Sequence, residues 1–174
     1  MVRIAGIEKD STVDGEGWRL AIFFQGCKHE CIGCQNPQTW DFSGGQEVSE
    51  EELLKLIDEA FDENPILDGI TLSGGDPFFQ SDKLLKICKE QKSKGRNIWA
   101  YTGFIFDNFL NRSNSNVTDS MVELLNYIDV VVDGPFILNK KTIDIPYVGS
   151  SNQRLIDVQK TLKSNSIQLY ILED

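Results

Sequence analysis

Cys27, Cys31 and Cys34 fall within one short stretch at the end of an apolar run, and the remaining cysteine, Cys88, is far away in sequence. Three thiolates supply three ligands to a metal ion or cluster and leave one coordination position open, and open positions are where chemistry happens rather than structural bracing. His29 stands two residues from both Cys27 and Cys31, so a Cys3His zinc site is the competing possibility, though a tetrahedron shared at that spacing is cramped. Cys88 shares the apolar face of a helical pattern with Leu84, Leu85 and Ile87 and reads as core.

Three further segments carry turn chemistry directly after apolar runs: Ser73-Gly74-Gly75-Asp76-Pro77, Tyr101-Thr102-Gly103 and Asp133-Gly134-Pro135. Taken singly, each is an ordinary strand end or turn. Asp14-Gly15-Glu16-Gly17 is by composition a solvent turn. Trp18, Trp40 and Trp99 read as packing residues, with Trp40 near enough to the cysteines to shield them.

The elements that must position these residues alternate. Arg19 to Gln25 is β-branched and aromatic, a buried strand that delivers its end to Cys27. Ser49 opens a helix, with Glu52 in the capping-box position and Leu53, Leu54, Ile57 and Phe61 at helical spacing. Gly69 to Ser73 is a strand and Asp82 to Ser93 an amphipathic helix. Asn97 to Tyr101 is the next strand, Thr118 to Tyr127 the next helix, and Asp129 to Asp133 a continuous apolar strand of the kind buried in parallel sheets. Beyond Asp133, Pro135, Pro146 and Gly149 interrupt any pattern, and only Ser166 to Leu172 reads as a late strand. The order β-α-β-α-β-α-β defines an α/β fold with right-handed crossovers. Ligands in parallel α/β folds gather at the carboxyl ends of the strands, so the cysteine loop and the three turns should surround one site.

Composition bounds the partners. The chain has 174 residues, about one domain, and 40% hydrophobic content, enough for a sizeable core. A net charge of −10 argues against gripping nucleic acid or anionic lipid, and the lysines between Lys83 and Lys94 read as the wet face of a helix. No apolar run approaches the roughly 20 residues of a membrane span, and no signal-peptide pattern is present. Clustered cysteines fit metal binding in a reducing compartment better than a disulfide framework. A soluble, cytoplasmic protein of one domain, residues 1–174, is the expectation.

The motifs together resemble a known family. Cys27-Lys28-His29-Glu30-Cys31-Ile32-Gly33-Cys34 has the cysteine spacing of the radical S-adenosylmethionine enzymes, and Ser73-Gly74-Gly75-Asp76-Pro77 is similar to their Gly-Gly-Glu/Asp motif. Asp14-Gly15-Glu16-Gly17, Asn36-Pro37-Gln38-Thr39-Trp40, Tyr101-Thr102-Gly103, Val132-Asp133-Gly134-Pro135-Phe136 and Gly149-Ser150-Ser151-Asn152-Gln153-Arg154 narrow the resemblance. It points to the glycyl-radical-enzyme activases, and among them to those acting on anaerobic ribonucleoside-triphosphate reductase. Activases of pyruvate formate-lyase-like proteins are the nearest alternative, and a non-catalytic iron–sulfur or zinc-braced module is the alternative of another class.

The resemblance implies a partial (β/α) barrel, open on one side. It implies a [4Fe-4S] cluster on Cys27, Cys31 and Cys34, the catalytic centre, with S-adenosyl-L-methionine chelating the fourth iron. Reductive cleavage would give methionine and a 5′-deoxyadenosyl radical that abstracts a hydrogen from a glycine of the large reductase subunit. Reduced flavodoxin or a similar donor would supply the electron. Gly74 and Gly75, Gly75 foremost, would meet the methionine part of the cosubstrate. The backbone of Gly33, Cys34 and Gln35 would border the adenine, because this chain carries glycine before the third cysteine and glutamine after it, where relatives often carry an aromatic residue. Thr102 and Asp133 would neighbour the ribose or the methionine carboxylate, and Asp14 would face the partner's glycine loop.

Overall fold

The four strands expected from apolar runs form in the structure, a computed structural model that describes residues 1–172. They are β2 (Arg19–Phe24), β4 (Gly69–Gly74), β5 (Asn97–Tyr101) and β6 (Val130–Asp133). They lie side by side and parallel, with Leu20 opposite Ile70, Ile70 opposite Ile98 and Ala100 opposite Val131. Three more strands extend the sheet: β1 (Val2–Ser11), β3 (Gln46–Val48) and β7 (Arg154–Asp157), in the order β3-β1-β2-β4-β5-β6-β7. β1 pairs antiparallel to β2 and β3, and β7 antiparallel to β6, so β3 and β7 are edges and the sheet is open.

Alternation along the strands separates two faces. Leu20, Ile22, Phe24, Ile70, Leu72, Ile98, Ala100 and Val131 point to one side and are buried. There they pack with Leu53 and Ile57 of α1 (Glu50–Glu63), Leu84, Ile87 and Cys88 of α2 (Ser81–Ser93), and Met121 and Leu124 of α4 (Asp119–Leu124). Each fully buried side chain of this size contributes about 1.5–3 kcal/mol. Ser49 caps α1 by accepting from the Glu52 amide at 3.0 Å, and Glu50, Glu51 and Glu52 complement the positive end of the helix dipole. The short helices α3 (Asp107–Asn111) and α5 (Val158–Ser164) follow β5 and β7.

The opposite face carries Trp99, Val130 and Val132, packed with Tyr101, Tyr147, Leu155 and Tyr170. Arg19 lies buried near this cluster. Its guanidinium donates to Thr71 Oγ1 (3.1 Å), Asn97 Oδ1 (2.9 Å) and the Ile70 carbonyl (2.6 Å), and sits 5.5 Å from the Trp99 ring centroid. Burial pulls its pKa down to about 10.

Two expectations need correction. Ser166 to Leu172 forms no strand; it makes one bridge, Ile156 to Leu169, alongside β7. Leu169 and Ile171 are 61% and 84% exposed, and the segment meets the β7 backbone through the Gln168 carbonyl, which accepts from the Asp157 amide (2.9 Å), and the Tyr170 amide, which donates to the Leu155 carbonyl (2.8 Å). The helix expected over Thr118 to Tyr127 is α4 followed by a 3-10 turn over Leu125–Tyr127.

Candidate metal centre and ligand cavity

One cavity of about 520 Å³ lies at the carboxyl ends of β2, β4, β5 and β6. Cys27, Cys31 and Cys34 line it, as do Gln35, Gly74, Gly75, Thr102 and Asp14. The cysteine loop is set by the end of β2 and by the return segment behind it. Gly26 donates to the Thr39 carbonyl (2.7 Å) and Cys27 to the Trp40 carbonyl (3.1 Å), while the buried Gln25 amide donates to the Gln38 (3.0 Å) and Asp41 (2.7 Å) carbonyls. Within the loop the Cys34 amide donates to the Cys31 carbonyl (3.0 Å), and the Asn36 amide to Cys34 Sγ (3.4 Å).

β4 joins the loop from the other side. The Gly75 amide donates to the Phe24 carbonyl (2.8 Å) and the Asp76 amide to the Gly26 carbonyl (3.0 Å). A Cβ on Gly75 would stand 2.6 Å from the Gly26 carbonyl oxygen and 2.9 Å from that of Thr39, so only glycine allows this approach. Gly74 has φ +99°, a conformation side chains resist.

Burial pushes the Cys27 thiol up to about 11, with the nearby His29 and Glu30 amides working against that shift, and burial raises Cys31 in the same sense. Thiolates here therefore need a compensating cation, and metal uptake would release protons. Among the described residues no three histidine, cysteine, aspartate or glutamate side chains group so as to hold a metal ion. His29 Nε2 is instead 2.8 Å from Asp76 Oδ2, its ring against Phe79 and Phe104. Three thiols bordering one cavity, with the histidine engaged elsewhere, are a donor set for a multi-iron cluster that takes one ligand from outside, and the residues fit such a group.

The remaining expected site residues divide. Thr102 lines the cavity, but its hydroxyl donates to Asp76 Oδ2 (2.8 Å) and accepts from the Phe104 amide (3.1 Å). Asp14 lines it too, with Ser11 Oγ 2.5 Å from its carboxylate. Gly33 has φ +78° and lies against Leu138, outside the cavity lining. Asp133 is buried and outside the cavity lining, and its carboxylate accepts from Arg154 Nε (3.1 Å), another Arg154 guanidinium nitrogen (2.6 Å) and the Phe106 amide (2.8 Å). Arg154 also pairs with Asp107 (2.8 Å).

The bonds of Gly149 to Arg154 explain why this segment sits at the end of β6. Gln153 Oε1 accepts from the Gly149 (2.8 Å) and Ser150 (3.1 Å) amides, and its Nε2 donates to the Gly134 carbonyl (3.0 Å). The segment thus ties the β6 end to the strap before it. The strap itself, Thr142 to Val148, went unread in the sequence although Thr142, Ile143, Ile145, Pro146, Tyr147 and Val148 all border the cavity. Tyr101 Oη donates to the Tyr147 carbonyl (2.8 Å), and the Tyr147 ring meets Trp99 edge-on at 5.5 Å. Of the other tryptophans, Trp40 borders the cavity and Trp18 is 42% exposed.

A cysteine trio and a glycine ledge at the carboxyl ends of parallel strands define an iron–sulfur class of site. A family described as a 4Fe-4S single cluster domain matches residues 13–156. Curated relatives narrow the class. One from Vibrio cholerae serotype O1 is 34% identical over 145 residues, 81% of this chain and 88% of that protein. One from Escherichia coli strain K12 is 35% identical over 81% of this chain and 89% of that protein, and one from Enterobacteria phage T4 is 31% identical over 82% and 86%. All three carry the name anaerobic ribonucleoside-triphosphate reductase-activating protein, and the chain belongs to that family. Among the described residues no helix is long and apolar enough to cross a membrane.

Proposed function

We propose that this chain, acting as a single domain, activates anaerobic ribonucleoside-triphosphate reductase by placing a glycyl radical on its large subunit. The observation that carries the reading is the meeting of Cys27, Cys31 and Cys34 with the Gly74–Gly75 ledge at one cavity. When bound, a [4Fe-4S] cluster supplies the low-potential electron that cleaves S-adenosylmethionine to methionine and a 5′-deoxyadenosyl radical, the species that takes a hydrogen atom from the target glycine.

The chain's own residues bind, orient and shield. Cys27, Cys31 and Cys34 hold the cluster. Gly74 and Gly75 offer a bare backbone edge to the methionine part of the cosubstrate, and the backbone of Gly33, Cys34 and Gln35 borders its adenine, with Gly33 shaping the turn that leads into Cys34. Thr102 acts through Asp76 rather than by direct contact. Trp40 and the strap from Thr142 to Val148 line the cavity, where they limit the space around a bound radical. Asp14, on the cavity wall, faces the entering glycine loop. Reduced flavodoxin or a similar carrier delivers the electron, and the protein works in the cytoplasm.

The test mixes the reconstituted protein, S-adenosylmethionine, dithionite and the reductase under anaerobic conditions and records electron paramagnetic resonance. An organic radical on the reductase whose splitting collapses when its glycines are α-deuterated is expected. Absence of that radical, with both proteins loaded and active cosubstrate present, would refute the reading.

A further inference from the structure

Asp76 is fully buried, yet its carboxylate gathers four donors from three parts of the chain. Oδ1 accepts from the Phe78 amide (3.0 Å), and Oδ2 accepts from Thr102 Oγ1 (2.8 Å), the Gly103 amide (3.0 Å) and His29 Nε2 (2.8 Å). A carboxylate so used only accepts, so Nε2 of His29 carries the hydrogen. The imidazole is gripped as well as bonded. Its centroid lies 4.8 Å from that of Phe104, edge-on, and 5.4 Å from that of Phe79. Gly103 leaves the room: a Cβ there would stand 2.4 Å from His29 Cδ2. No φ in the left-handed region demands glycine at Gly103, so the close approach of the imidazole is the reason for it.

The sequence position of His29 gives this contact its consequence. It lies between Cys27 and Cys31, followed by Glu30 at φ 45° in the left-handed region. Fixing the imidazole to the ends of β4 and β5 fixes the path of the backbone between two thiols. The His29 and Glu30 amides belong to this stretch of backbone, and hydrogen bonds to the sulfurs help set a cluster's potential.

We propose that His29 is a positioning residue: its Nε2–H bond to buried Asp76, with Gly103 as the seat for its ring, latches the loop from Cys27 to Cys31 and thereby sets the redox poise of the group those thiols hold. The redox half rests on the cluster reading above; the latch does not. His29→Phe keeps the ring and loses the bond. His29→Gln keeps a donor the same number of bonds from Cβ, so it restores the bond without the ring. Gly103→Ala leaves both residues in place and pushes the imidazole off its seat.

The experiment has two arms. Amide hydrogen exchange on cluster-free protein should show residues 28–31 exchanging at least tenfold faster in His29→Phe and in Gly103→Ala, with His29→Gln close to wild type. On reconstituted protein, redox titration followed by electron paramagnetic resonance should show a more negative potential and an altered reduced-cluster signal in His29→Phe and Gly103→Ala, both returning toward wild type in His29→Gln. Gly103→Ala keeps the proposal open to refutation if His29→Phe does not fold. Unchanged exchange in both disruptive variants would overturn the latch, and faster exchange with an unmoved potential and signal would overturn its redox role. A His29→Gln protein as disturbed as His29→Phe would overturn the hydrogen bond as the cause. A wild-type chain that takes up no cluster would sink the function reading and the redox role with it, while the exchange arm would still decide the latch.

Discussion

Replacing Arg154 with leucine should destabilise the fold without touching the cavity. The Asp133 side chain is 2% exposed and has three donors, two from Arg154 and one from the Phe106 amide. Arg154→Leu leaves a buried carboxylate with the amide alone, and removing one partner of a buried pair costs about 3–5 kcal/mol. The Arg154 side chain is 34% exposed, so water can reach part of the emptied space and the cost should fall near ~3 kcal/mol. For a chain of this length each kcal/mol lowers the melting temperature by roughly 2–4 °C, which gives a fall of about 6–12 °C. Thermal unfolding of the cluster-free protein under reducing conditions measures it. Adding Asp133→Asn to Arg154→Leu removes the stranded charge and should recover at least ~1 kcal/mol, a coupling that distant residues do not show. S-adenosylmethionine affinity of the loaded protein should be unchanged in any of these variants that folds. A loss below about 1 kcal/mol would refute the energetic reasoning, and a stably folded Asp133→Asn that no longer binds the cosubstrate would return Asp133 to the site.

Gly75→Ala forces a methyl against two carbonyl oxygens, so β4 must retreat from the cysteine loop; overpacking of this kind costs about 1–3 kcal/mol. Calorimetry should show both a lower melting temperature and weaker cosubstrate binding, and a variant normal in both would contradict the close approach. Cys88 is buried and its thiol is pushed up to about 12 by that burial, so iodoacetamide should leave it unmodified in the folded, cluster-free chain and alkylate it only on unfolding. Peptide mapping that finds Cys88 alkylated in folded protein would contradict its place in the core. Asp107 is held below the ordinary aspartate range, chiefly by its hydrogen bond from Arg154. A depressed folded value means stability present above the unfolded pKa of about 3.9 and lost as pH falls through the lower folded value. Asp107→Asn should therefore be less stable than wild type at neutral pH, with the gap closing in acid; a gap constant to pH 2 would contradict the ion pair.

The central fold was legible because its strands are dense in β-branched and aromatic residues and its helices keep their spacing. β2, β4, β5 and β6 are buried on both faces, so in β2, β5 and β6 apolar residues occupy consecutive positions, while β4 alternates Ile70 and Leu72 with Thr71 and Ser73. β1 hid because its pattern holds only at Val2 and Ile4, before Gly6, Glu8, Lys9 and Asp10, with irregular pairing between Ile4 and Gly6. β7 hid because Arg154 and Asp157 bracket a run of two apolar residues. At the site, cysteine spacing and glycine pairs announced themselves by type. The partner of Asp133 was not legible, because an acid at a strand end has the same sequence signature whether it meets a ligand or an arginine 21 residues on. The strap from Thr142 to Val148 left no periodic signal, since its place depends on Tyr147 reaching Trp99 and Tyr101.

The most direct measurement is anaerobic reconstitution with iron and sulfide, followed by dithionite reduction and addition of S-adenosylmethionine, reading electron paramagnetic resonance and 5′-deoxyadenosine release. The expected result is a reduced-cluster signal that changes when the cosubstrate is added, with 5′-deoxyadenosine formed and both lost in Cys31→Ala. A colourless protein that takes up one zinc ion, or a cluster indifferent to S-adenosylmethionine, would contradict the assignment.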